Sequence, residues 1–436
     1  MFGADPAKNL KKRMEWPLNP GDGANGFGST LSRVSGFPWR ELRVAIVHYW
    51  FVSRRGGERV VEALCELFPQ ADLFALVADR KTFSAELQKH KLTTSFLQKI
   101  PGSRKWHRHM LPLYPLAVEQ FDLRGYDLVI STESGPAKGV LTTPETCHIC
   151  YCLTPMRYVW NFYQQYKNGS GLGPVRKLAF GLTAHYARLW DQASAARVDY
   201  FAAISQSVAA RVGKYYRRKA AVIYPPVDVS GAQLCGNTED YYLVVGQLVN
   251  YKRVDLAIEA CNKLGRTLRV AGAGEEYKRL RQRAGRTVSF LGTLSDEEVR
   301  KQYAQCRALL FPGEEDFGIV PLEAQASGRP VIAFGKGGAR ESVIGAYPDE
   351  LAIPEQSTGV FFKDQSANSL VDAIRKFEAV EHRFSPSFIR EHAEPFDKKH
   401  FLTNMGHFVV EKLEDYREPR RPWRVPSCAS AGDRGV

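Results

Sequence analysis

Strand-like and helical runs alternate twice along this chain, and a proline pair separates the two series. From Arg43 the first series reads RVAIVHY, the helix ERVVEALCELF, ADLFALV, YDLVIST, CHICYCL, a helical stretch from Val175 to Arg197, DYFAAIS, a basic helix from Gln206 to Arg217, and AAVIYPP. Short apolar strands that alternate with longer helices bury both of their faces when the sheet is parallel and wound with helices. Pro225-Pro226-Val227-Asp228 is stiff and extended, and marks a boundary. After it run YYLVVG, a helix from Asp255 to Lys263, TLRVAG, helix, TVSFLG, helix, ALLFP, helix, PVIAF and a last helix from Ser369 to Glu378.

The expected architecture is α/β: two Rossmann-like, doubly wound domains whose strand ends open toward a shared cleft, where ligands bind. The spans are 1–40 as a disordered polar leader, 41–228 as the first domain, 229–385 as the second, 386–416 as a helical segment returning to the first, and 417–436 as a disordered tail. A chain of 436 residues with 44% hydrophobic content has enough apolar material for two cores. Its formal charge of +13 favours anionic partners. No long apolar run and no secretory signal occur, so a cytoplasmic protein is expected. The eight cysteines are too sparse for a disulfide scaffold. Cys147, His148, Cys150 and Cys152 in CHICYC read as strand residues rather than metal ligands, since no second ligand pair follows at zinc spacing.

The densest chemistry lies in GEEDFGIVPLEAQASGRPVIA, where Glu315 and Glu323 stand eight positions apart around the start of a helix. Two such carboxylates can hold the two ends of a polyhydroxylated ligand, and the amides near Ile319 and Val320, after Phe317-Gly318, can take a phosphate. A sugar nucleotide has these parts in this order. A carboxylate early in a helix is also favoured by the dipole alone, so Glu323 gains its meaning from the conjunction. Gly246-Gln247-Leu248-Val249-Asn250-Tyr251-Lys252-Arg253 sits where the first strand of the second domain gives way to its first helix. There Lys252 and Arg253 are candidates to stabilise a departing diphosphate. Gly272 and Gly274 fit a close backbone approach and equally a plain turn. Ser295 with Glu298 is a capping box, and a base fits near Gly292 and Thr293 at the same sheet edge.

In the first domain, Gly56 and Gly57 after the first strand let a phosphate approach a helix N-terminus, or make a tight turn. Glu133 and Lys138, in the loop after YDLVIST, face the cleft if a helix starts nearby. Arg157, after Thr154-Pro155, suits an acceptor phosphate or an ordinary ion pair. KIPGSRKWHRHMLPLYP, Lys99 to Pro115, and KYYRRK interleave basic and aromatic residues. Clusters of that kind suit an anionic membrane surface or lipid diphosphate better than nucleic acid, which needs aromatics spread along a groove.

These residues resemble the retaining family 4 glycosyltransferases of GT-B fold, in the bacterial exopolysaccharide and O-antigen branch that includes many mannosyltransferases. The resemblance runs from about Arg43 to Tyr416 and is carried by RGGERVVEALCELFP, YDLVIS with GPAKGV, YCLTPMRYVW, VIYPPVD, VGQLVNYKRVDLAIEA, FLGTLSDEEV and EEDFGIVPLEAQASGRPVIA. It implies a diphosphate held by Lys252 and Arg253, a ribose held by Glu323, and donor-sugar hydroxyls near Glu315 and the Phe317-Gly318 backbone. It also implies metal-independent transfer, in keeping with the lack of an Asp-x-Asp motif, with no cofactor and with GDP-mannose as the first donor to consider. The implied acceptor is a polyprenyl-diphosphate-linked glycan at the inner face of the plasma membrane. Three positions depart from the pattern: Leu153 stands where relatives carry His, Gln247 where Arg is common, and Asp316 where Gly is usual. The first of these encourages the rival reading of a non-catalytic sugar-nucleotide-binding subunit. A hydrolase or epimerase on the same scaffold is the third.

Overall fold

The computed structural model describes residues 37, 39–132, 135–169, 173–236, 238–348, 350 and 356–417. The expected polar leader and tail lie almost wholly outside these residues, as does Glu133. In the first domain the strands are β1 (Val44–Phe51), β2 (Asp72–Ala78), β3 (Leu92–Thr94), β4 (Leu128–Thr132), β5 (Cys147–Cys152), β6 (Tyr200–Ala203) and β7 (Ala220–Val222). They form one parallel seven-stranded sheet in the order β3-β2-β1-β4-β5-β6-β7. The second domain holds β8 (Tyr242–Val245), β9 (Leu268–Ala271), β10 (Val288–Gly292), β11 (Ala308–Phe311), β12 (Val331–Phe334), β13 (Gly345–Ala346) and β14 (Gly359–Phe362). Their order is β10-β9-β8-β11-β12-β14-β13, again with every pairing parallel. In both sheets the order reverses beside the first strand, which is where a doubly wound sheet opens a ligand crevice.

Sequence patterning located six strands of the first sheet and five of the second. The others, β3, β13 and β14, are of two to four residues. β5 is the CHICYC strand, buried along its whole length, and His148 Nε2 meets Ser131 Oγ on the neighbouring strand at 2.8 Å.

The helices that position the cleft are α1 (Gly56–Leu67), α2 (Pro174–Ala195), α3 (Gln206–Tyr216), α4 (Val254–Leu264), α5 (Asp296–Gln305), α6 (Ile319–Ala326), α7 (Ala367–Val380), α8 (Pro386–Ala393) and α9 (Lys398–Arg417). Amphipathic sequence sets their seating: in α1 Val60, Val61 and Leu64 are buried, and in α7 Leu370, Ile374 and Phe377. α8 packs on α6 of the second domain, whereas α9 crosses back to α1 and β5 of the first. One apolar cluster is continuous between the halves, because Phe317, Leu322 and Ala326 join first-domain residues through Phe396 and Tyr224.

Candidate functional site

At the end of β8 the backbone turns at Gly246, whose φ of +140° is a conformation that side-chain-bearing residues rarely adopt. A β-carbon there would stand 2.8 Å from Lys252 Nζ, so the turn folds the lysine back over the strand end. Lys252 Nζ pairs with Glu315 Oε1 at 2.9 Å. Burial works against the ammonium, but Glu315 and the neighbouring Tyr251 outweigh it and hold the group above its ordinary range. Gly246, Gln247, Gly313 and Glu315 line a small cavity with Lys252.

Arg253 does not converge with its neighbour. It adopts a left-handed backbone, φ +52°, and turns its guanidinium to Asp255 Oδ1 at 3.1 Å and toward Gln365. It lines a different and larger cavity of about 430 Å³, between Phe162, Gln165 and Asn168 of the first domain and Asn250, Tyr251 and Glu314 of the second.

Two helix N-termini meet across the cleft. α6 starts at Ile319 behind Gly318, φ +86°, with no side chain capping it. α1 starts at Gly56, and a β-carbon at Gly56 would lie 3.0 Å from Ile319 Cδ1. Gly57 abuts Leu153, the position where the resembled family carries His. The two helix starts therefore lie against each other in the cleft, and the uncapped start of α6 follows four residues after Glu315, the partner of Lys252. Val320 follows in the first turn of α6. Phe317 turns inward and stacks on Tyr224 with ring centres 5.3 Å apart, so its contribution to the cleft is backbone.

Glu323 lies in the second turn of α6 rather than the first. Its Oε1 accepts from Arg59 Nη1 of α1 at 2.7 Å and its Oε2 from Tyr303 OH at 2.9 Å. Arg59 Nη2 also reaches Asp296 Oδ1 at 2.9 Å, and Arg54 Nη1 reaches Asp296 Oδ2 at 2.7 Å. Sequence reasoning missed Arg59 as a partner of Glu323. The available signal was its place one turn into α1, on the side that carries Gly56. Gly292 ends β10 with φ +71°, and Thr293 follows it toward the capping box of Ser295 and Glu298.

In the first domain the expectations for Lys138 and KYYRRK change, and one of the two readings of Arg157 is selected. Lys138 is buried and turned away from the cleft, paired with Asp191, whose Oδ2 also accepts from Trp160 Nε1 at 2.7 Å and Tyr216 OH at 2.9 Å. The aromatic rings of KYYRRK are likewise packed: Tyr216 is in this network and Tyr215 stacks on Trp160 with centres 4.5 Å apart. Arg157 takes the ion-pair alternative and crosses the cleft to Asp316, with Nε at 2.6 Å. Arg211 Nη1 reaches the same carboxylate at 2.5 Å, and Ser205 Oγ donates to the Asp316 carbonyl at 2.6 Å.

Residues 232–391 match the family described as Glycosyl transferases group 1. HepE of Anabaena in complex with UDP superposes with a TM-score of 0.57 at 14% identity, covering 85% of this chain and all of that one. The fold is GT-B. An uncharacterized glycosyltransferase, MJ1178 of Methanocaldococcus jannaschii, is 27% identical over 208 residues, 46% of this chain and 55% of its own. Human alpha-1,3/1,6-mannosyltransferase ALG2 is 30% identical over 125 residues, 27% of this chain and 30% of its own. The chain thus spans about half the length, or less, of these curated relatives. In this GT-B chain the family match covers the domain that carries Lys252, Glu315 and Glu323.

Proposed function

We propose that the protein is a retaining glycosyltransferase that moves a hexose from a nucleotide diphosphate sugar to a lipid-linked glycan. The observation that carries this reading is Lys252, folded over the end of β8 and paired with Glu315, four residues ahead of the uncapped start of α6. A glycosyl-phosphate bond breaks with negative charge building on the diphosphate, and a cation fixed at the strand end stabilises that charge more than the ground state. Glu315 keeps the ammonium protonated and accepts from donor-sugar hydroxyls. Glu323 takes the ribose hydroxyls, and a nucleotide exchanges its ribose for Arg59 there. Arg253, committed to Asp255 and Gln365, has no part in the diphosphate contact.

No metal ion enters this mechanism, since side-chain and helix charges serve the leaving group. Complexes of HepE with UDP support a nucleotide-sugar donor, and the likeness to ALG2 supports mannose as the first hexose to test. The acceptor proposed is a polyprenyl-diphosphate-linked glycan reached from the cytoplasmic face of the membrane, and nucleic acid is not a partner.

The test is turnover of GDP-mannose and UDP-hexoses with membrane lipid extracts, for the wild-type chain and Lys252→Ala. Loss of about a hundredfold or more in the variant, with unchanged circular dichroism, is the expected result. Near-normal turnover would count against the mechanism. A second reading, a nucleotide-sugar-binding subunit without turnover, is favoured by Leu153 packing an apolar side chain against Gly57. Donor binding without transfer by the wild-type chain would select it, and release of free sugar would select a hydrolase.

A further inference from the structure

We propose that the outer face of α2 is a docking surface that lies flat on an anionic lipid bilayer. The purpose of the surface rests on the lipid-linked acceptor of the proposed function; its evidence is the helix itself. Ala184, Ala187, Asp191, Ser194 and Ala195 turn inward, the first two against Met156 and Val159. On the opposite side, Val175, Leu178, Leu182, Tyr186 and Leu189 follow the helical repeat and are exposed by 79%, 66%, 65%, 49% and 57%. They form one stripe roughly 20 Å long. An apolar stripe of this regularity ordinarily faces a core, and a contiguous exposed one marks a surface that something covers. The neighbouring 103–116 segment, which contacts α2, adds exposed Trp106, Leu113 and Leu116.

Charge selects the occupant. The one acid of α2, Asp191, is buried against Lys138. Arg176 and His185 are exposed on this helix, and Lys105, Arg108 and His109 on the segment beside it, which has no acid between Lys99 and Pro115. Two copies pressed together on such faces bring like charges into contact, whereas anionic headgroups neutralise them while the leucines enter the acyl boundary. No helix of the described residues is long and apolar enough to cross a membrane, which fits a helix that lies in the interface.

The test is flotation of the full chain with vesicles of phosphatidylglycerol and phosphatidylcholine, and with phosphatidylcholine alone, without donor or acceptor. The mixed vesicles are expected to carry the protein, and phosphatidylcholine alone much less. The double variant Leu178→Glu, Leu182→Glu should lose at least about tenfold in partitioning, because two large apolar groups no longer leave water. Lys105→Glu with Arg108→Glu should remove most of the preference for phosphatidylglycerol. All variants should keep wild-type circular dichroism and wild-type binding of GDP and UDP, since none of these residues is at the cleft. Equal flotation of the leucine variant, or no flotation of the wild type, overturns the proposal. So does a dimer that the leucine variant dissolves in the absence of vesicle binding, which gives the stripe to a second copy. Nucleotide binding is read separately, so a failed transfer assay and a failed flotation point to different readings.

Discussion

Lys138 is the residue whose surroundings argue most directly against what its position in the chain suggests. Its ammonium is buried with Asp191 and Ser194, and Trp160 and Tyr216 satisfy the rest of the carboxylate. Removing one member of a buried pair leaves the other charge without compensation, at a cost of about 3–5 kcal/mol. Lys138→Ala should therefore lower the denaturant midpoint strongly, while leaving the affinity for GDP and UDP near wild type at temperatures where it is folded. A variant of normal stability with weakened acceptor use would return Lys138 to the cleft. The reason this was not legible is distance along the chain: Asp191 is fifty-three positions away and meets Lys138 only once α2 has folded over the loop after β4. Lys252 and Arg253 teach the same lesson at short range. Adjacent basic residues on a turn look equivalent in sequence, but the left-handed backbone at Arg253 sends the two side chains to different partners.

At the level of elements, the alternation of apolar runs and amphipathic helices is local information, and it located most strands and all the helices that frame the cleft. β14 (GVFF), β3 and β13 went unseen, while β8 and β9, also of four residues, were located from apolar runs that end in glycine, YYLVVG and TLRVAG. The start of α1 was legible from its glycines, but its electrostatics were not. Glu58, whose carboxylate accepts from the Arg55 amide at 3.0 Å, is buried, and that burial pushes its carboxyl up to about 7. In the unfolded chain a glutamate titrates near about 4.3, so between these values the folded state binds more protons and stability falls as pH rises. Glu58→Gln removes the ionisation and keeps a side-chain carbonyl to accept from the amide. The variant should gain thermal stability relative to wild type above pH about 7, and the difference should shrink as pH falls toward about 4.3. A constant difference across that range in a melting series would show that Glu58 is not the titrating group. Buried His48, His148 and His392, lowered to about 3, 4 and 4 by desolvation, act in the other direction. They stay neutral in the folded state, so stability is lost as pH falls below the ordinary histidine range, and that loss is common to both proteins.

Across the whole molecule, the two halves are held by contacts of unequal kind. Arg54 and Arg59 with Asp296 are roughly one-third to one-half exposed, so they are screened by salt and individually weak. Asp316 is 6% exposed and receives Arg157 and Arg211 from the first domain, while Glu341 caps the N-terminus of α3 through the amides of Gln206 and Ser207. The buried carboxylate sits between two guanidinium groups. Without it they are left close together and unpaired, and separating the domains is the available relief. Asp316→Ala should therefore open the cleft, even though the Phe317 to Tyr224 and Phe396 contacts continue to tether the second domain. In small-angle scattering the radius of gyration of the variant should exceed that of wild type, and it should grow further as salt rises and screens the Asp296 pairs. Wild type, whose Asp316 cluster is shielded from salt, should change little over the same range. Identical radii for both proteins at low and high salt would mean that the remaining contacts, apolar packing and the Glu341 cap among them, set the closure, and that the aspartate where the resembled family has glycine is incidental to it.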